Sequence, residues 1–289
     1  METLDSKKAI ILNNITCPYC GCKLDQMNTT KEHVIGRRFV PKGSLENTWN
    51  LILNACRNCN NFKSDLEDDI SVITQITSDT TTLNSEELKS LRNKANCSIS
   101  RRTGKKIIES QEFLSIPIRL SPCVNLTFNF SCNPQIDNDR ESLLAQLHLM
   151  AIFYFMTYDK NIRIGHYWQG AFRCIKTAPK TDWGNNINKA FQQLVSTWEV
   201  RFHGNTANGN FRCQIRKPEN GLCWSWALEW NKNYRLIGFF GNENIYERYI
   251  NNIVGVDNKN LILKNEKESI YMQREVSIKS DDTLFNFEQ

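Results

Sequence analysis

The sequence contains no hydrophobic run long enough to cross a membrane. Its most apolar stretch, Leu143 to Met156, has 14 residues and includes Gln146 and His148, whereas a membrane-spanning helix needs about 20 apolar residues. The first residues also lack the apolar segment of a signal peptide, because acidic residues precede the lysines there. We therefore expect a cytoplasmic protein with no membrane partner.

The chain also lacks an internal repeat and a low-complexity tract. Hydrophobic residues make up 40% and charged residues 23% of its 289 residues, which excludes a disordered or fibrous protein. A chain of this length is long enough for one large domain or two of ordinary size.

The cysteines do not form the even, closely spaced set of a disulfide-bonded secreted protein, since there are 11 of them in a long chain. Four form two CxxC pairs, Cys17/Cys20 and Cys56/Cys59, with 35 residues between the pairs. Two such pairs satisfy a tetrahedral zinc ion and leave no coordination position open. The sequence therefore predicts a structural zinc site, and Cys22 is close enough to the first pair to be an alternative ligand.

Three zones divide the chain. Residues 1–78 contain the paired cysteines and end in an amphipathic helix, in which Leu66 and Ile70 begin a helical repeat of apolar residues. Residues 79–112 form a polar connector with a short helix and a basic loop. Residues 113–289 show mixed helix and strand patterns, which predict a second α+β domain of unknown role.

The third zone has two predicted helices and several predicted strands. The helices are Glu141–Tyr158 and Asn185–Thr197, and the strands are Val124–Phe130, Trp198–Phe202, Phe211–Ile215, Leu222–Trp230 and Tyr234–Phe240. Strand-spaced tryptophans in this zone are more often core residues than base-stacking platforms.

Positive charge is concentrated at the start of the chain. Residues 1–64 carry nine Lys or Arg against five Asp or Glu, which suits a surface that meets phosphate. Four basic side chains near the cysteine pairs are candidate phosphate contacts, with a solvated face as the alternative: Arg37, Arg38, Arg57 and Lys63. The acidic run from Asp65 to Asp69 is interpreted as a solvated helix face.

Two segments beside the cysteine pairs carry a resemblance to a known family. KEHVIGRRF at 31–39 and WNLILNACRNCNNFKSD at 49–65 resemble the HNH endonucleases, or ββα-metal nucleases, and in particular their zinc-containing members. The family pattern is an acidic residue followed by His, then an Asn before the second CxxC, then His or Asn at the start of a helix. The resemblance covers residues 17 to about 70 and implies a zinc-stabilised ββα domain followed by the α+β domain.

The resemblance assigns a role to four residues. His33 would take a proton from water, because an imidazole titrates near working pH. Glu32 and Asn60 would hold a catalytic Mg²⁺ or Mn²⁺ through oxygen. Asn50 would brace the loop that carries the histidine, with Asn54 as the alternative for this position. Glu32 replaces the more usual Asp, and Asn60 replaces the more usual His.

These residues predict a DNA endonuclease that uses a single metal ion and leaves 5′-phosphate and 3′-hydroxyl ends. By analogy with the family, a role in restriction, anti-phage defence or a mobile element is expected. A further hypothesis is that an associated regulatory or sensor subunit switches on the nuclease. The alternative of another class is a non-catalytic zinc module that binds nucleic acid or protein.

Overall fold

A computed structural model describes residues 8–76, 85–121, 123–132, 134–219, 221–254, 260–264, 269–272, 275–278 and 282–285. Helices and strands are mixed along this part of the chain, so the prediction of an α+β protein is confirmed. None of the helices in the described ranges is long and apolar enough to cross a membrane.

The first structural unit is a small sheet followed by a long helix. It consists of β1 (Ile10–Ile11), β2 (Thr29–His33), β3 (Leu51–Cys56) and α1 (Arg57–Gln75). The central strand β3 pairs antiparallel with β2 and parallel with β1. Burial alternates along β3, with Leu51 and Leu53 buried and Ile52 between them partly exposed, so only one face of this sheet is covered.

Helix α1 covers that face. Its buried apolar residues, which include Leu66, Ile70 and Ile73, recur at three- and four-residue intervals and form one stripe along the helix. The helix begins directly after Cys56, which ends β3 and caps the helix without a side-chain hydrogen bond. Two antiparallel strands and a helix therefore follow one another between residues 29 and 75, with a cysteine at the junction.

The later part of the chain contains a five-stranded antiparallel sheet in the order β6-β10-β9-β8-β7. Its strands are β6 (Ala171–Pro179), β7 (Glu199–Thr206), β8 (Phe211–Lys217), β9 (Cys223–Trp230) and β10 (Tyr234–Gly241). The other helices are α2 (Ser85–Cys97), α3 (Asn138–Met156), α4 (Asn186–Val195) and α5 (Glu243–Val254). Two separate hairpins pair β4 (Glu112–Ser121) with β5 (Val124–Cys132), and β11 (Asn260–Lys264) with β12 (Ser269–Met272).

The sequence-based elements agree with most of this sheet. Helices α3 and α4 and strands β5, β7, β8, β9 and β10 all overlap the predicted segments. Strand β6 and helix α5 were not predicted. Strand β6, with the sequence AFRCIKTAP, is partly exposed along most of its length, so it lacks the clean alternation that marks a half-buried strand.

One hydrophobic core joins the two parts of the chain. It includes Leu53 and Ile70 from the first unit and Phe211 and Trp230 from the five-stranded sheet. Hydrogen bonds cross the same contact: the amide of Asn231 donates to the Phe39 carbonyl at 3.1 Å and to the Thr74 hydroxyl at 2.8 Å. The predicted boundary at 112 does not coincide with a break in this core, and that at 78 lies outside the described residues.

Tryptophans of β9 lie in this core. Trp226 and Trp230 have relative exposures of 1% and 0%, and the partly buried Trp224 stacks on Phe240 with ring centroids 5.8 Å apart. Burial of this extent makes a base-stacking role impossible for Trp226 and Trp230 in this arrangement.

Candidate functional site

A short hairpin gathers the first cysteines. Thr16 and Lys23 form an antiparallel bridge, and the Cys17 amide donates to the Cys22 carbonyl at 2.9 Å. Gly21 closes the turn with a φ of 75°, a left-handed conformation that glycine adopts without a steric penalty. The turn therefore brings the thiols of residues 17, 20 and 22 to one side.

Four thiols form a group that could hold a metal ion. The sulfur atoms of Cys17, Cys20, Cys22 and Cys56 all lie within 4.8 Å of one another, and those of Cys20 and Cys56 are 3.7 Å apart. A tetrahedral zinc ion with bonds of about 2.3 Å to sulfur separates its ligands by about 3.8 Å. This donor set and spacing fit a zinc ion.

The fourth thiol of the compact group differs from the predicted one. Cys22 belongs to it, whereas Cys59 does not, although the Cys59 thiol still interacts with those of Cys20 and Cys56. Burial opposes ionisation of Cys20, but hydrogen bonds from its neighbours, chiefly Cys22, lower its pKa to about 7. Five thiols thus surround a site with four coordination positions.

Tyr19 connects the cysteine hairpin to the predicted acidic residue. Its side chain is buried, and its hydroxyl donates to Glu32 Oε1 at 3.2 Å. On the other side of the hairpin, the Tyr167 hydroxyl donates to the Cys17 carbonyl at 2.6 Å. The cysteine hairpin is therefore held both by strand β2 and by the chain that follows α3.

Glu32 and His33 lie on opposite faces of strand β2. Glu32 is 4% exposed and faces α1, whereas His33 is half-buried and lies opposite Ile52 in the register. Directly opposed residues of antiparallel strands point to the same face, so His33 lies on the uncovered side of the sheet with Ile52. The side chains of Glu32 and His33 therefore alternate between the two faces of the sheet.

The carboxylate of Glu32 is bound by a lysine. Lys63 Nζ lies 2.8 Å from Glu32 Oε1 and 2.6 Å from Glu67 Oε1, and it donates to the His33 carbonyl at 3.4 Å. Burial opposes the charge of Lys63, but the two carboxylates raise its pKa above the ordinary value. Lys63 is 1% exposed, so its burial contradicts the predicted contact with a phosphate.

Glu67 extends this buried network into helix α3. Its Oε1 accepts from the Gly36 amide at 3.3 Å and lies 3.6 Å from His148 Nε2. Burial lowers the pKa of His148 to about 4, so this imidazole is neutral at neutral pH. Burial opposes ionisation of Glu67, but the neighbouring Lys63 ammonium lowers its pKa below the ordinary range. Glu32, Lys63, Glu67 and His148 are named here the buried ion-pair network.

The predicted divalent-ion ligands do not fit a second metal ion in this arrangement. Glu32 is engaged by Lys63 and Tyr19, and the Asn60 amide donates to the Thr30 hydroxyl at 2.9 Å. Within the described residues, the cysteine group is the set whose ligand atoms converge closely enough to hold a metal. The Lys63 ammonium and the Tyr19 hydroxyl both contact Oε1 of Glu32.

Asn50 holds the chain just after His33. Its side-chain oxygen accepts from the Ile35 amide at 3.4 Å, and its amide donates to the Ile35 carbonyl at 3.0 Å. Asn54 instead binds Asn14: its backbone amide donates to Asn14 Oδ1 at 2.8 Å, and its side-chain amide donates to the Asn14 carbonyl at 3.1 Å. Of the two candidates, Asn50 therefore contacts the loop that begins at the histidine.

A cleft lies beside Ile52 of strand β3, and His33 is not among the residues that line it. It has a volume of about 530 Å³, and its lining includes Arg37, Lys42, Asn50 and Ile52. Burial, followed by the nearby charge of Arg37, lowers the pKa of His33 below its ordinary value. His33 is therefore a neutral imidazole at neutral pH, the form that can accept a proton.

The other predicted basic contacts lie at the surface. Arg37, Arg38 and Arg57 are all exposed. Arg37 lines the cleft, whereas Arg57 lies at the start of α1 beside the cysteines. These three side chains remain open to a phosphate, in contrast to Lys63.

The acidic run on α1 is only partly solvated. Asp69 is 1% exposed, and both it and Asp65 accept from Arg140 of α3, at 3.2 and 3.0 Å. Asp65 also pairs with Arg101 at 2.5 Å, so the basic loop of the predicted connector packs onto α1. The interpretation as a solvated helix face is therefore wrong for Asp69, whereas Asp68 is exposed and the side chain of Asp65 is 42% exposed.

Sequence reasoning missed Glu67, His148 and Tyr19 as parts of the site. The spacing of Lys63 and Glu67, four residues apart on a helix, could have indicated their ion pair. No comparable signal exists for Tyr19 or His148, whose contacts with the network join segments far apart in sequence.

A scan against protein-family models gives no match, and neither curated proteins nor solved structures yield a similar protein.

Proposed function

We propose that this chain is an endonuclease of the HNH type that hydrolyses phosphodiester bonds of DNA. The observation that carries the proposal is the environment of His33. Its imidazole is kept neutral near the charge of Arg37, and its own carbonyl and the backbone of Ile35 are held by Lys63 and Asn50. A rigidly held neutral imidazole beside positive charge suits removal of a proton from water near a phosphate.

Each group of residues has a separate role in the proposed hydrolysis. His33 accepts a proton from the attacking water, and Arg37 balances charge on the phosphate in the cleft. The cysteines bind a structural zinc ion, which supplies no open position for substrate and stabilises the junction of β3 and α1. Arg38 and Arg57 are further candidates for contacts with the DNA backbone.

The divalent Mg²⁺ or Mn²⁺ implied by the resemblance would need Glu32 and Asn60 as oxygen ligands. Lys63 lies 2.8 Å from Glu32, and the roles proposed for His33 and Arg37 do not depend on this ion. Plasmid cleavage with and without an added divalent ion tests whether the reaction requires this ion.

The test is cleavage of supercoiled plasmid DNA by the zinc-loaded protein, with Mg²⁺, with Mn²⁺ or with neither added. We expect His33→Ala to lower the cleavage rate at least about 100-fold, the usual contribution of a general base. His166→Ala is the matched control, since His166 is exposed and lies outside the site. Equal cleavage by the wild type and His33→Ala would refute the assignment of His33.

A second candidate is a non-catalytic zinc module that binds nucleic acid. The burial of Glu32 beneath Lys63 favours it, because a binding module needs no metal at Glu32. Retarded migration of plasmid without cleavage, unchanged in His33→Ala but weakened in Arg37→Ala, would support this candidate.

A defence or mobile-element role, a cytoplasmic location and activation by a partner subunit remain predictions attached to the nuclease proposal.

A further inference from the structure

The buried ion-pair network contains a cation where the resemblance implies a metal ion. We propose that the Lys63 ammonium is a built-in cation at Glu32, and that a divalent ion binds there only by displacing it. The inference rests on the proposed function, because a phosphodiester hydrolase of this type is what would require an ion at this carboxylate.

The geometry of the network is that of a filled cation site. Lys63 Nζ has three oxygen neighbours, at 2.8 Å from Glu32, 2.6 Å from Glu67 and 3.4 Å from the His33 carbonyl. Lys63 and Glu32 are 1% and 4% exposed. A buried carboxylate needs a compensating charge, and in this arrangement the lysine supplies it in place of a metal.

The charges in the network leave room for a stronger cation. Two carboxylates face one ammonium, and the adjacent His148 is neutral at neutral pH. The network therefore carries one net negative charge in a buried position. A divalent ion at Glu32 would balance the two carboxylates once Lys63 is replaced by a neutral residue, whereas a retained Lys63 would leave the network with a net positive charge.

Displacement would not leave Lys63 without a partner. Lys63 and Glu67 are four residues apart on α1, so their ion pair can persist while Glu32 changes partner. Asn60 lies three residues before Lys63 on the same helix, and its amide contacts Thr30, which shares the face of β2 that carries Glu32. Asn60 is therefore beside the position from which Lys63 would withdraw.

The experiment measures binding of Mn²⁺ to the zinc-loaded full-length protein by electron paramagnetic resonance of the free ion. We expect Lys63→Met to bind one Mn²⁺ at least tenfold more tightly than the wild type does. Adding Glu32→Gln to Lys63→Met should abolish this gain. Lys89→Met is the matched control, because it removes one lysine charge from an exposed position of helix α2 and should leave the affinity unchanged.

Lys63→Gln provides a second variant, since its amide can still donate to a buried carboxylate and preserve the fold. It should also bind Mn²⁺ more tightly than the wild type. Equal Mn²⁺ affinities in the wild type, Lys63→Met and Lys63→Gln would overturn the proposal. These affinities need no substrate, so failure of His33→Ala to affect plasmid cleavage would remove the nuclease assignment without changing this result.

Discussion

Cys22 gives the metal site one thiol more than four coordination positions require. Its sulfur belongs to the compact group of four, whereas Cys59, expected from the CxxC spacing, interacts with that group from outside it. The two buried members, Cys17 and Cys56, have no comparable substitute nearby. The site should therefore tolerate loss of Cys22 or Cys59 but not of a buried ligand.

We predict that Cys22→Ser and Cys59→Ser each retain one zinc per chain, whereas the double variant and Cys17→Ser lose it. Loss of zinc should also lower the melting temperature, because the energy of metal binding contributes to folding. Zinc content by elemental analysis and thermal unfolding measure both effects. Cys97→Ser, at an exposed position outside the group, is the control. Complete loss of zinc from Cys59→Ser would show that Cys22 cannot replace Cys59 as a ligand.

Glu141 is a single residue that should make stability depend on pH. Burial raises its pKa to about 7, although the Tyr234 hydroxyl, which donates to it at 2.8 Å, opposes the rise. A raised pKa means that the folded state holds the proton more tightly than the unfolded state. Protonated Glu141 therefore contributes fully to the free energy of unfolding below its ordinary pKa of 4.5. This contribution is lost as the pH rises to about 7.

We predict that the free energy of unfolding of the wild type falls between pH 4.5 and pH 8 by up to about 3 kcal/mol more than that of Glu141→Gln. The amide cannot ionise and so removes this part of the dependence. Urea unfolding at several pH values measures it. Parallel pH profiles for the two proteins would show that Glu141 is not the group responsible.

Helix α1 uses different faces for different purposes. Asn60, Lys63 and Glu67 face strand β2 and the loop after it, whereas Asp65 and Asp69 face Arg140 of helix α3. The contact with α3 therefore fixes the rotation of α1 about its axis. Because the first face carries the candidate site, the ion pairs on the second also help to position that site.

We predict that Arg140→Met lowers the free energy of unfolding by about 3 kcal/mol, since the buried carboxylate of Asp69 keeps the Arg101 backbone amide at 3.0 Å but loses its ion pair with Arg140. Arg201→Met is the matched control, because Arg201 pairs at 2.7 Å with Glu199 where both side chains are largely exposed. That change should cost less than about 1 kcal/mol. If urea unfolding showed similar losses of unfolding free energy in the two variants, the ion pairs of Arg140 would stabilise the fold no more than an exposed pair does.

The sequence predicts elements better than it predicts their contacts. The apolar repeat that includes Leu66 and Ile70 marks α1 because helical periodicity is a local property. The burial of Lys63 is not local, since Glu32, which pairs with it, lies on another element 31 positions earlier. A lysine is rarely buried unless it is paired, so the ordinary expectation places it at the surface, and the same applies to the paired Asp69.

At the scale of the molecule, residues 8–76 share their core with the five-stranded sheet. Phe39 packs edge-on against Trp230 with ring centroids 5.5 Å apart, and Trp49 donates to the Asn205 carbonyl at 3.0 Å. The segment that carries the candidate site therefore depends on the rest of the chain for part of its packing. Its resemblance to a compact nuclease unit does not make it an independent folding unit.

We predict that a fragment of residues 1–78, even when loaded with zinc, unfolds without a cooperative transition and exchanges its amide hydrogens rapidly. Removal of the later chain would expose the apolar surface around Phe39 and Ile70, which lie in the shared core. Hydrogen exchange followed by mass spectrometry compares the fragment with the full chain. Protection of α1 in the fragment equal to that in the full chain would contradict the shared-core argument.

Tyr19 sits between two of the sulfur ligands and also donates to the acid at position 32. If an oxidant converted these thiols to disulfides, a zinc ion held there would lose its thiolate ligands, and we would expect the turn that carries Tyr19 to change conformation. Glu32 would then lose one of its two hydrogen-bonding partners without any change in its own strand. The cysteine turn and the buried acid are thus linked by the short backbone around Tyr19 and one hydrogen bond.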